Sequence, residues 1–195
     1  MDRASLAAAL LKAMIAWVPI SAHATRETEE DVRARYASIA EDIARETLNA
    51  PDSAIPYRAW GKVDGRVTQL PPTDKDRVAS AFLMLSIARY ESNFIREVDT
   101  CEKSGDHDDA WGLWQVHAKK EKVCESRVAA LRIALSYAAK SFRDCAEHDR
   151  ADRLSIYTSG RCYAGQKQSR QRVILGEVWL SVHPVKDLAT GMVLY

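Results

Sequence analysis

Glu91 is the side chain in this 195-residue sequence whose setting most suggests chemistry. It closes an apolar stretch, residues 78–88, and is followed at once by Ser92-Asn93-Phe94. A carboxyl at the end of a buried helix can face a cleft while its flank stays in low dielectric. Such an environment raises the carboxyl pKa and keeps the group protonated, as a general acid requires. The competing reading is a solvated last-turn glutamate, which is what most helix-end glutamates are. Further along, Trp111-Gly112-Leu113-Trp114-Gln115-Val116 combines a permissive glycine, two aromatics and an amide. Those tryptophans either pack in the core or offer flat faces to the C–H faces of pyranose rings. Just before them Asp106, Asp108 and Asp109 share a polar loop with Glu102 and Gly105. Their spacing matches no EF-hand, which leaves a solvated loop or a second carboxylate beside Glu91.

The four cysteines, Cys101, Cys124, Cys145 and Cys162, all fall in the second half of the chain. None forms a C-x-x-C pair, and their spacing to His107, His117 and His148 matches no known ligand pattern, so no metal site is expected. An even count of spaced cysteines suits two disulfides in an oxidising compartment, with Cys101–Cys124 and Cys145–Cys162 as the two local pairings. The alternative is four buried thiols. A formal net charge of +1, with 47% hydrophobic and 28% charged residues, fits an ordinary globular domain. It gives no electrostatic pull towards nucleic acid or an anionic membrane.

The elements that must position these residues read as helices. Residues 1–24 have a positive start at Arg3, an apolar run over 6–20 and small residues at Ala22-His23-Ala24, as a signal peptide does. Lys12 interrupts that run, and an amphipathic helix kept in the folded protein is the other reading. The run is too short and interrupted for a stable membrane span. Residues 27–49 place Val32, Tyr36, Ile39 and Ile43 near one face. Pro51 ends that pattern, and residues 55–72 form an irregular connector with a small hairpin around Asp64-Gly65. Thr73 or Asp74 caps the next helix, which runs to about residue 90 and is apolar nearly all round, so it belongs at the centre of its domain. Further helices are expected over 123–143, 152–157 and 168–182. The fold class is all-α, mainly helical, in three parts: the 1–24 leader or helix, a 25–72 flank, and a 73–195 core.

Three short elements now stand in order: Glu91-Ser92-x-Phe94, then Gly112-Leu113-Trp114-Gln115-Val116, then Ile156-Tyr157-Thr158-Ser159-Gly160. Together they resemble the lysozyme-like lytic transglycosylase family, of the soluble transglycosylase and goose-type lysozyme kind. The resemblance covers residues 74–172. Trp114 and Val116 stand where the family usually has Met and Ile, and Thr158 and Ser159 where it has Asn and Ala. It implies a lysozyme-like helical domain with a substrate cleft, peptidoglycan glycan strands as partner, and no cofactor. It also implies that Glu91 is the single catalytic acid and that Ser92 contacts substrate or fixes the turn. Gln115, with Gly112 and Trp114 beside it, lines the cleft, and Tyr157 hydrogen-bonds the glutamate. The reaction implied is cleavage of the β-1,4 bond between N-acetylmuramic acid and N-acetylglucosamine, with a 1,6-anhydro product. The alternatives are an inverting hydrolase using Asp106, Asp108 or Asp109, and a non-catalytic muropeptide-binding module. Location follows as periplasmic or secreted, or else as part of a phage virion or a secretion assembly.

Overall fold

The computed structural model describes residues 2–23, 26–105 and 108–186. Its centre is a helix that water does not reach. Thr73 accepts from Asp76 N while Asp76 reaches back to Thr73 N, a capping box that starts α3 (Asp74–Ser92). From Val78 to Ala88 every residue of α3 is buried. A helix apolar on all sides must be enclosed by other elements. Here α1 (Arg3–Trp17), α2 (Glu29–Asn49), α6 (Arg127–Asp144) and α8 (Gln166–Val182) enclose it. One contiguous core runs from Leu6 through Phe82, Trp114 and Leu135 to Val185.

The enclosing helices begin where the sequence supplies caps. Asp2 accepts from Ala4 N and Ser5 N at 3.0 Å, Thr28 from Asp31 N, and Ser126 from Ala129 N. Three acids, Glu29, Glu30 and Asp31, sit in the first turn of α2, where they complement the helix dipole. The expected apolar helix over 123–143 is two elements, α5 (Lys120–Val123) and α6, broken at Cys124-Glu125-Ser126. The break follows from the Ser126 cap together with the disulfide that holds Cys124 to Cys101. A four-residue helix, α4 (Arg96–Asp99), was not expected; α7 (Ser155–Ser159) was, and ends at Gly160.

Both anticipated disulfides are present, with Cα–Cα distances of 5.9 Å for Cys101–Cys124 and 5.5 Å for Cys145–Cys162. Loops of this length contribute about 3 kcal/mol each through loss of unfolded-state entropy. The hairpin is present too. β1 (Trp60–Val63) and β2 (Arg66–Gln69) pair antiparallel with Val63 opposite Arg66, and Asp64 and Gly65 both take positive φ. It lies at the periphery, held by Arg58 donating to the carbonyls of Leu70 and Gln69. Among the described residues no helix is long and apolar enough to cross a membrane.

The N-terminal helix is part of the core. Leu6, Leu10, Ala13 and Met14 are fully buried, and α1 lies against both α2 and α3. Its outward face carries Arg3 and Lys12 among Ala4, Ala8 and Ala16. Residue Ala24, at the expected cleavage position, lies outside the described residues. Below α1 the Tyr36 hydroxyl donates to Val18 O at 3.3 Å and lies 2.9 Å from His23 Nε2. Burial pushes the Tyr36 hydroxyl up to about 12. Burial, aided by the Arg35 charge and opposed by Glu27 and Glu97, lowers the His23 pKa below its usual 6.5.

Two outcomes follow. Leu10→Ala is expected to lower unfolding free energy by about 2–5 kcal/mol, read as a reduced urea midpoint at unchanged slope. For His23, the fold binds a proton less readily than the unfolded chain. Its contribution is therefore fully present above pH 6.5 and lost as pH falls towards the lowered folded value. The melting temperature of the native chain should thus drop more between pH 7.5 and 5.5 than that of His23→Gln, which keeps a partner for Tyr36.

Candidate active site

The end of α3 is set by unusual backbone. Asn93 and Phe94 both adopt left-handed φ, 52° and 55°, so the chain reverses sharply just after Glu91-Ser92. Ser92 is buried; its Oγ donates to Ala88 O at 2.8 Å and accepts from Phe94 N at 3.3 Å. Of its two expected roles, fixing the turn is the one its burial allows. Arg35 on α2 braces the same turn, donating to Phe94 O while paired with Glu27 at 2.6 Å. The Phe94 ring packs edge-on to Tyr36 at 5.5 Å. Glu91 is thereby held on a rigid stem.

Its partner is Arg172, which sequence reasoning missed. Helices α3 and α8 run antiparallel in close contact. At Gly176 an added Cβ would stand 3.1 Å from Phe82 O, so a side chain here would push the two helices apart by a few tenths of an ångström. One turn along, Ser86 Oγ donates to Arg172 O at 2.6 Å. This register delivers the Arg172 guanidinium to the end of α3. Nε donates to Glu91 Oε1 at 2.9 Å and Nη2 lies 2.7 Å from the same oxygen. Nη1 donates to Gln168 O at 2.8 Å, and the guanidinium carbon sits 5.3 Å from the Tyr90 ring centre. The side chains of Glu91 and Arg172 are 20% and 10% exposed, so the pair is largely withdrawn from water. Burial raises the Glu91 pKa above its usual value, while the charge and hydrogen bond of Arg172, and more weakly His117, pull it down. The only sequence signal for Arg172 was a cation four residues before a glycine on an otherwise apolar helix face.

The other two motifs do converge on this end of α3. Trp114 is fully buried and donates from Nε1 to Met84 O at 2.9 Å, pinning its loop onto α3. Trp111 is buried also, with Lys120 Nζ 4.0 Å over its ring. Trp114 is therefore a core residue and not a sugar platform, since no face of it reaches the surface. Gly112 has φ +70°, and an added Cβ would stand 3.3 Å from Ala130 Cβ, so it serves the close approach of this loop to α6 rather than substrate. Gln115 donates from Nε2 to Gly112 O at 2.9 Å. With Tyr157, Val116, His117 and Tyr137 it lines a groove of about 650 Å³. The Tyr157 hydroxyl donates to Trp114 O at 2.7 Å, so its expected bond to Glu91 is replaced by one to the loop. Burial and the nearby Glu91 charge push its pKa well up. Thr158 and Ser159 spend their hydroxyls on Ser155 O, and so close α7.

Asp108 and Asp109 are exposed, and Asp108 accepts from Ser104 within its own loop. Asp106 lies outside the described residues. Neither described aspartate is brought to Glu91. Among the described residues no three His, Cys, Asp or Glu side chains gather as a metal site would need. A second depression of about 710 Å³ opens beside Tyr90, along Lys167, Arg170, Gln171, Ile174 and Val178 of α8.

The Tyr157 bond makes a prediction. Tyr157→Phe removes the donor to a largely enclosed carbonyl and should cost about 1–3 kcal/mol in chemical denaturation, with no ligand present. Comparison with known proteins leaves this geometry without a named relative: no protein-family model matches the chain, and neither the curated proteins nor the solved structures yield a significant match.

Proposed function

We propose that the protein is a peptidoglycan lytic transglycosylase on a lysozyme-like helical scaffold, with Glu91 as its catalytic residue. The observation that carries this reading is the setting of Glu91. A carboxyl whose proton affinity is raised by burial ends the most enclosed helix, within electrostatic reach of His117 and Tyr157, which line a groove with Gln115. Largely buried carboxyls with perturbed proton affinity near a groove are candidates for acid–base work. Protonated Glu91 gives its proton to the glycosidic oxygen as the bond from C1 of N-acetylmuramic acid breaks. The neighbouring acetamido oxygen of the substrate stabilises C1. Anionic Glu91 then takes the proton of the C6 hydroxyl as that oxygen bonds C1, giving the 1,6-anhydro ring without water. No second carboxylate is needed, in keeping with the exposure of Asp108 and Asp109 on their own loop. The two disulfides support a periplasmic or secreted location. The burial of α1 supports a folded protein that keeps residues 1–24, as a component of a virion or secretion assembly also would.

A second reading, a non-catalytic muropeptide-binding module, is favoured by one observation: the Glu91 carboxylate already holds an ion pair. The two separate experimentally. Incubation with purified glycan strands, followed by mass spectrometry, should release 1,6-anhydro products that Glu91→Gln fails to form while remaining folded. Reducing ends would mean hydrolysis, and strand binding with no product at all would mean the module.

A further inference from the structure

Both contacts from Arg172 fall on one oxygen of Glu91. Nε and Nη2 both lie within hydrogen-bond distance of Oε1. The guanidinium is itself fixed from three directions. Nη1 is bound to Gln168 O one turn back, the Tyr90 ring lies beneath, and the backbone is tied to Ser86. Such a fork holds direction as well as charge, which a lysine cannot do. A largely enclosed ion pair is a poor source of stability, because desolvation offsets most of the attraction. Its location at a carboxyl that acts on the groove residues His117 and Tyr157 gives it a different use.

We propose that Arg172 is the positioning residue of this site. It fixes Oε1 of Glu91, so that the proton exchanged with the glycan is carried on Oε2. This rests on the reading of Glu91 as the acid. The groups that face Glu91 are Arg172 from α8, His117 from the loop after Val116, Tyr157 from α7 with Tyr137 of α6 behind it, and Tyr90 beside it on α3. Of these, Arg172 alone supplies a permanent cation within hydrogen-bond reach. As the proton leaves Oε2 for the glycosidic oxygen, the anion that forms is met by a charge already in place, with no reorganisation.

The test compares Arg172→Met and Arg172→Lys with the native chain, using glycan-strand cleavage as a function of pH and carbon-13 NMR titration of Glu91. Arg172→Met should move the alkaline limb of the rate profile, and the Glu91 titration, upward by about one to three units, the span expected for losing an adjacent cation. It should lower kcat on the order of a hundredfold, the cost of a misplaced reacting group, while KM changes little. Arg172→Lys should leave the limb near its native position and recover part of kcat, since charge returns without the fork. An unmoved limb with undiminished kcat in Arg172→Met overturns the proposal. Should that variant fail to fold, Arg172→Gln serves the same comparison. If the native chain releases no glycan product, the assigned function fails; an unmoved Glu91 titration in the variant then overturns the role of Arg172 separately.

Discussion

The enclosure of α3 is the constraint on which the rest of the molecule depends. Eleven consecutive residues, 78–88, are buried, and they need apolar partners on every side. That requirement recruits α1 and α2 from the N-terminal third, α6 through the centre, and α8 from the C-terminal end. It also explains why the parts before residue 73 are not an appendage: Leu6, Leu10, Tyr36 and Ile43 complete the same core that holds Phe82 and Trp114. The close approach of Gly176 to the backbone of Phe82, with Ser86 bonded to Arg172 O, sets the register at which α8 meets α3.

The site is a consequence of that register. Because α3 is dry, the carboxyl at its end is partly dry as well, and burial raises its proton affinity. Because α8 passes so close, Arg172 is delivered to the same carboxyl and opposes that rise. Burial and Arg172 thus act on one group with opposite sign, burial being the larger. Around it, Trp114, Tyr157, Ser92 and Arg35 serve as scaffolding: each spends its polar atom on a backbone carbonyl that fixes a loop or a helix end.

Much of this was legible from local pattern. Val78 to Ala88 announced a central helix by its lack of a polar face, and Thr73 with Asp76 announced where it starts. Asp64-Gly65 specified a two-residue hairpin because both positions favour positive φ. The cysteine pairs followed from separation alone. What failed, failed for lack of three-dimensional information. The expected helix over 123–143 ran across the polar Glu125-Ser126-Arg127, where the Ser126 cap and the Cys124–Cys101 disulfide end one helix and start another. Trp114 had the composition of a sugar platform, yet the Met84 carbonyl it bonds lies thirty residues away in sequence.

The sequence by itself determined the helices, their caps, the hairpin and the identity of the carboxyl worth attention, because these depend on neighbours within a few positions. Only the tertiary structure decided what that carboxyl touches. Arg172 lies 81 residues from Glu91, and its reach depends on a helix–helix register set by Gly176 and Ser86. Periodicity says which face of α8 is buried, but it carries no information on which turn of α3 that face meets. The contact that defines the site is therefore a property of packing.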